Sequence, residues 1–97
     1  MPATPTLSDI EIQRELGSLP GWGRRGNALV KTYTFAAFPA GIDWVRRVAE
    51  VAESMNHHPD IDIRYTKVAA ALSTHSAGGI TQLDIDLARR MDALAEG

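Results

Sequence analysis

The chain carries three histidines, all of them in its second half. His57 and His58 are adjacent and precede Pro59, and His75 stands shortly before the Gly78-Gly79 pair. An imidazole titrates at about pH 6.5, so at neutral pH it can both give and accept a proton. If the fold brings these positions together, they have the chemistry of a general acid–base site.

The residue types alone leave three interpretations of this group open. Three imidazoles could hold zinc, but adjacent histidines are a poor pair of ligands and no carboxylate spacing supports them. A surface histidine often has no chemical role, and His58 by itself would be interpreted in that way. From the residue types alone, the interpretation as an acid–base site and the interpretation that the histidines have no chemical role are about equally favoured.

The elements that must position the histidines are predicted from hydrophobic periodicity. The first predicted helix begins near Ser8, and the other two cover residues 39–55 and 82–95. The predicted strands cover residues 22–25, 28–35, 61–65 and 68–74. The order α-β-β-α-β-β-α predicts an α+β domain with three helices packed on one face of a four-stranded antiparallel sheet.

Local signals support several of these boundaries. Ser8 with Glu11 and Thr81 with Asp84 have the spacing of a capping box, in which a side chain satisfies a free N–H at the start of a helix. The middle helix must end before Pro59, because the residue before a proline avoids helical angles. The alanine run at 69–71 is equally compatible with a helix on propensity alone.

Composition limits the classes of function. The net charge of -2, with both signs interspersed, argues against nucleic-acid binding, which needs clustered Lys and Arg. No stretch approaches the roughly 20 apolar residues of a membrane span. The absence of cysteine excludes disulfides and thiolate chemistry, and we expect a cytoplasmic protein. We expect residues 1–97 to form one domain, with residues 1–6 as a flexible tail.

A pattern around the histidines extends over most of the chain. It consists of Glu53, His57-His58-Pro59, Tyr65, His75 and Asp84, together with Pro20-Gly21-Trp22, Leu72-Ser73-Thr74-His75 and the segment Asp84-Ile85-Asp86-Leu87-Ala88. In residue types and spacing it resembles the pterin-4a-carbinolamine dehydratase family, from about Leu7 to Leu94. The family fold has the element order predicted above, and it favours a strand over the alanine run.

The resemblance implies an enzyme that eliminates water from 4a-hydroxytetrahydrobiopterin to give quinonoid dihydropterin, thereby recycling the cofactor of aromatic amino-acid hydroxylases. By the family pattern, His57 and His75 are the acid–base pair, and His58 holds and polarises the pterin. Ser73 and Thr74 line the pocket. The implied reaction needs no metal and no further cofactor.

Supporting roles are expected for two carboxylates and for Pro59. Glu53, one helical turn before His57, would orient that imidazole, and Asp84 would fix His75. The alternatives are a solvated helix charge for Glu53 and a helix cap for Asp84. Pro59 would set the backbone that aims the adjacent histidines and would border the pterin.

Two aromatic residues and one departure from the family pattern bear on the site. Trp22 and Tyr65 could stack near the pterin, but for aromatic residues in a small domain we expect the core. Some members carry Arg before the aspartate that matches Asp84, and here that position is Leu83. If that Arg helps to hold the substrate or an interface in those members, this chain lacks its contribution.

The resemblance also implies partners and competing functions. Relatives form dimers or dimers of dimers, so we expect a homodimer or homotetramer. Some animal members also act as dimerisation cofactors for a homeodomain transcription factor. Carboxysome-associated relatives act in Rubisco assembly with a degraded active site. The intact histidines favour the enzyme over both non-catalytic roles.

Overall fold

The computed structural model describes residues 4–96. Its elements are α1 (Asp9–Leu16), β1 (Gly23–Arg25), β2 (Ala28–Thr34), α2 (Phe38–Met55), β3 (Asp60–Arg64), β4 (Lys67–Leu72) and α3 (Gln82–Glu96), with a short 3-10 turn at His75–Ala77 before α3. The predicted element order and the α+β class are confirmed.

The four strands form one antiparallel sheet in the order β1-β2-β4-β3. β4 lies between β2 and β3, and Ala70 is opposite both Lys31 and Ile61. The strand assignment of the alanine run is therefore confirmed. Pairing on both sides outweighs the helix propensity of alanine, because every backbone N–H and C=O in a central strand finds a partner.

The hydrophobic core lies between the helices and one face of the sheet. It contains Ile12, Leu19, Trp22, Leu29, Tyr33, Trp44, Val48, Val68, Ala70, Leu72, Ile80, Ile85, Leu87, Ala88 and Met91. The indole Nε1 of Trp44 donates to the Met91 carbonyl at 3.1 Å, which joins α2 to α3. The opposite face of the sheet borders a shallow depression of about 510 Å³ lined partly by Val30 and Ala69.

A capping box begins the first helix, and backbone contacts of Thr6 and Leu7 connect the N-terminal segment to the rest of the domain. Glu11 N–H donates to Oγ of Ser8 at 3.1 Å, and Ser8 N–H donates to the Glu11 carboxylate at 2.9 Å, so the predicted capping box is confirmed. Positions 1–3 of the tail expected at 1–6 lie outside the described residues. Within the described part, Thr6 forms a β-bridge with Thr81, and Leu7 N–H donates to the Ile80 carbonyl at 2.9 Å.

A polar cluster within the core connects α3 to the sheet. The Asp92 carboxylate accepts hydrogen bonds from Trp22 Nε1 at 3.1 Å, from Lys31 Nζ at 2.9 Å and from the Tyr33 hydroxyl. Burial, followed by the hydrogen bond to Asp92, raises the pKa of Tyr33 well above its usual range. Trp22 therefore lies in the core, as expected. The same expectation is wrong for Tyr65, which is 75% exposed at a left-handed turn between β3 and β4.

No helix of residues 4–96 is long and apolar enough to cross a membrane.

Replacing Asp92 with Ala should lower the free energy of unfolding by about 2 kcal/mol, because three partly or fully buried donors lose their common acceptor. Urea denaturation measures this change. Asp86→Ala is the matched control, since Asp86 is exposed on the same helix and, within residues 4–96, its side chain is hydrogen-bonded only to Gln82. It should change stability by about 0.5 kcal/mol or less. Equal losses in the two variants would contradict a structural role for the Asp92 cluster.

Candidate functional site

The C-terminal end of α2 turns His57 toward the interior. Asn56 has left-handed backbone angles, with φ 51°, and its N–H donates to the Glu53 carbonyl at 3.1 Å. The N–H of His57 donates to the Ala52 carbonyl at 3.0 Å. These two bonds form a Schellman motif, which ends a helix at a residue that tolerates left-handed angles, as asparagine does. As a result, the His57 side chain is only 8% exposed.

A carboxylate with no solvent contact lies next to His57. Asp84 is 0% exposed, and its Oδ1 is 2.6 Å from Nε2 of His57. Its Oδ2 accepts hydrogen bonds from the Thr74 hydroxyl and from the Thr81 N–H, each at 2.9 Å. Asp84 lies in the first turn of α3, where the helix dipole favours a negative charge. The arrangement provides the donors that a buried carboxylate needs and fixes the His57 ring.

The pairings expected for the two supporting carboxylates are wrong. Asp84 contacts His57 instead of His75, which lies in the exposed turn after β4. Glu53 contacts Nε2 of His58, at 2.8 Å, instead of His57. The left-handed turn takes His57 off the helical face on which Glu53 lies, so the spacing rule for a continuous helix does not apply.

The three histidines line one pocket of about 350 Å³. Its lining residues are Asn56, His57, His58, Pro59, Asp60, Ser73, Thr74, His75 and Ser76. All residues expected to contact a substrate therefore border the same space, while Glu53 contacts His58 and Asp84 contacts His57. The depression on the open face of the sheet is larger, but it contains no histidine. We therefore take the smaller, histidine-lined pocket as the candidate site.

The two ring nitrogens of His57 have different surroundings. Nε2 is held by Asp84, whereas Nδ1 has no hydrogen-bond partner among the described residues. Every buried side-chain nitrogen or oxygen in residues 4–96 does have a partner. Nδ1 therefore retains some exposed surface, and His57 borders the pocket. A base with one nitrogen free and the other held by a carboxylate is the arrangement that proton transfer requires.

A metal centre finds no support in the geometry. In the part of the chain that the structure describes, no three or more His, Asp or Glu side chains come close enough to hold a metal ion. His57 and His58 are adjacent in sequence, but their Nε2 atoms contact different carboxylates.

Reasoning from the sequence missed three contributors to the site. Asn56 stands where a helical pattern ends, and asparagine at that position is a known C-terminal signal. Thr81 was expected only as a helix cap, yet its hydroxyl also lies 2.7 Å from that of Thr74. Asp60, which follows Pro59, borders the pocket, and no pattern in the sequence distinguished it from other surface carboxylates.

A family model described as pterin 4 alpha carbinolamine dehydratase matches residues 5–94. The chain belongs to the pterin-4a-carbinolamine dehydratase family. The resemblance found in the sequence is thus confirmed.

Relatives at about half identity cover nearly the whole chain. A protein of Roseiflexus sp. (strain RS-1), named "Putative pterin-4-alpha-carbinolamine dehydratase", is 52% identical over 88 residues, which are 91% of this chain and 95% of that protein. A protein of Mycobacteroides abscessus with the same name is 56% identical over 86 residues, covering 89% and 92% of the two chains.

Two solved structures share the fold. A crystal structure of a transcriptional coactivator/pterin dehydratase from Brucella melitensis superposes with a TM-score of 0.90 at 34% identity, covering 93% of this chain and 98% of that one. A pterin dehydratase-like protein described as a RuBisCO assembly factor in the alpha-carboxysome gives a TM-score of 0.63 at 24% identity, over 76% and 86% of the chains. The second likeness establishes a common fold only.

The three histidines should differ in their reactivity toward diethyl pyrocarbonate. His58 and His75 are exposed, whereas His57 is nearly buried and its Nε2 is engaged by Asp84. We expect His57 to be modified last, as measured by mass spectrometry of proteolytic peptides over time. In urea-unfolded protein, the control, all three should react at similar rates. Modification of His57 as fast as His75 in the folded protein would contradict the burial described here.

Proposed function

We propose that this protein dehydrates 4a-hydroxytetrahydrobiopterin to quinonoid dihydropterin and water, and so recycles the cofactor of aromatic amino-acid hydroxylases. The observation that carries the proposal is the convergence of all three histidines on one pocket in a member of this family. We also propose that it acts in the cytoplasm, which fits a chain without cysteine.

The dehydration consists of two proton transfers around one bond cleavage. The bond between ring carbon 4a and its hydroxyl breaks, and the hydroxyl leaves as water after receiving a proton. A ring nitrogen loses a proton, and its electron pair forms the new double bond. Two groups with pKa values near neutrality are needed, one as acid and one as base, and imidazoles meet this need.

His57 and His75 are the proposed acid–base pair. The Asp84 carboxylate behind His57 stabilises the positive charge that forms when His57 accepts a proton, so His57 is the better base. His75 is exposed and borders the same pocket, and it would deliver the proton to the leaving hydroxyl. His58, held by Glu53, would bind and polarise the pterin.

The pocket has the dimensions and polarity for a small heterocycle. Its volume of about 350 Å³ lies at the lower end of the range typical of ligand sites. Ser73, Thr74 and Pro59 border the space between the histidines. Hydrogen-bonding groups on this lining would complement the amide and amine edge of a pterin.

A non-catalytic role in dimerisation or Rubisco assembly is the competing function. The likeness to the RuBisCO assembly factor, at 24% identity, supports the fold alone. The Brucella protein's description combines a coactivator with a dehydratase, so the two roles need not exclude each other. The histidines, the carboxylate behind His57 and the pocket are all retained here, which favours the enzyme.

Kinetics of single variants test the assigned roles. His57→Ala and His75→Ala should each lower kcat by about 100- to 10,000-fold, because each removes a proton-transfer partner. His58→Ala should act through binding and raise KM more than it lowers kcat. Steady-state dehydration assays compare the three variants with the parent, after subtraction of the uncatalysed reaction.

Circular dichroism serves as the folding control for these variants. Dialysis against a chelator should leave the parent rate unchanged, since imidazoles alone carry the protons in this mechanism. A folded double variant, His57→Ala with His75→Ala, that retained parent-like turnover would refute the mechanism. Loss of activity on chelation, restored by zinc, would replace it with a metal mechanism.

We further propose that the protein forms a homodimer or homotetramer. Large apolar side chains are exposed on α2 and beside the edge strand β3, namely Phe38, Ile42, Ile63 and Tyr65. Edge strands with exposed apolar neighbours pair readily with another chain.

Light scattering at micromolar concentration should therefore give a mass of two or four chains. Ile42→Lys should reduce that mass if the α2 face is an interface, and a parent that is only monomeric would contradict the proposal.

A further inference from the structure

A continuous chain of hydrogen bonds runs from the start of α3 to His57. Leu83 N–H donates to the Thr81 hydroxyl at 3.2 Å, and the hydroxyls of Thr81 and Thr74 are 2.7 Å apart. Thr74 Oγ1 donates to Oδ2 of Asp84 at 2.9 Å, and Oδ1 of Asp84 is 2.6 Å from Nε2 of His57. Each of these four side chains is buried.

The protons in this chain are assigned from hydrogen-bond geometry and from the general acidity of the groups. A hydroxyl has one proton, and that of Thr74 points to Asp84, so the proton between the two threonines belongs to Thr81. Oδ2 of Asp84 receives two donors. A carboxylic acid is in general a stronger acid than an imidazolium ion, so we assign Asp84 as an ionised carboxylate, which only accepts. The contact at Oδ1 then needs a donor, and this donor is the Nε2–H of His57.

We propose that Thr81 is a positioning residue for His57, acting through Thr74 and Asp84. The two hydroxyls orient the carboxylate so that it holds the proton of His57 on Nε2. The lone pair of the neutral ring is then on Nδ1, the atom that retains some exposed surface. The kinetic part of this inference rests on the proposed dehydratase function, whereas the tautomer of His57 does not.

Helix capping alone does not account for Thr81. A cap needs the hydroxyl only as an acceptor, as at Ser8, where the exposed hydroxyl accepts from Glu11 N–H. The Thr81 hydroxyl accepts from Leu83 N–H and is also next to Thr74, with 0% of the residue exposed. Ser8 and Thr81 therefore form a matched pair: both cap a helix, but only Thr81 is connected to the pocket.

Nitrogen NMR of ¹⁵N-histidine-labelled protein gives the direct test. Under conditions in which the His57 ring is neutral, the chemical shifts show which nitrogen carries the proton. We expect Nε2–H with an unprotonated Nδ1 in the parent. Predominant Nδ1–H in the parent would overturn the inference without any need for a variant.

Variants then separate positioning from folding. Thr81→Val should increase the Nδ1–H form of His57 and lower kcat by about 10-fold with little change in KM, because the base is misaligned and not removed. Thr81→Ser, which keeps the hydroxyl, should recover most of both losses. Ser8→Ala should reduce stability and leave the His57 tautomer unchanged.

The Asp84→Asn background shows whether Thr81 acts through the carboxylate. Asparagine can donate as well as accept, so Asp84→Asn should shift His57 toward Nδ1–H. If Thr81 acts through Asp84, adding Thr81→Val to this background should cause little further loss of kcat. Fully additive losses, or a parent-like tautomer in folded Thr81→Val, would overturn the inference. A correct tautomer response in a protein without dehydratase activity would refute the proposed function and leave the inference standing.

Discussion

The constraint on which the site depends is that the Asp84 carboxylate has lost all contact with water. Removing a carboxylate from solvent costs several kcal/mol unless its oxygens are hydrogen-bonded. The partners come from three places in the fold: the end of α2, the segment after β4 and Thr81, the residue that precedes α3. These elements cannot shift independently without leaving a buried oxygen unsatisfied. The same contacts that satisfy the charge therefore also fix the His57 ring, so stability and alignment of the candidate site have a common origin.

The fold could be predicted from the sequence where local and tertiary preferences agree. Residues 28–35 alternate as a strand should, and the structure has β2 at Ala28–Thr34. The helix around 39–55 shows helical spacing and begins and ends within one residue of expectation. The alanine run at 69–71 had no local preference for a strand, and only its neighbours on both sides settle its conformation. Tyr65 was misplaced because it lies in a left-handed turn and because β3 is an edge strand whose alternating apolar residues are not buried; Ile63, two residues earlier, is itself exposed.

The site was predicted as a set of residues and not as a set of contacts. Residue types and spacing identified the histidines and both carboxylates; the structure places the histidines around one pocket and each carboxylate against one of them. The pairing of Glu53 with His57 assumed that α2 continues, but the turn at Asn56 ends it first. The pairing of Asp84 with His57 depends on how α2 packs against α3, and sequence spacing contains no information about that distance. The sequence pattern can thus indicate which residues belong to the candidate site, but not which of them contact each other.

The bridge between Thr6 and Thr81 connects the first described residues to the segment that contains Thr81, whose hydroxyl belongs to the series of hydrogen bonds that ends at His57. Leu7 reinforces it through the Ile80 carbonyl, at 2.9 Å. The residues before α1 therefore act as a brace for a loop distant in sequence, although nothing in their composition suggests it. Trimming the terminus for crystallisation, or fusing an affinity tag directly against it, would loosen the side of the domain that holds the His57 ring. Attachment points beyond α3 avoid this brace, so they are the safer place for labels and immobilisation.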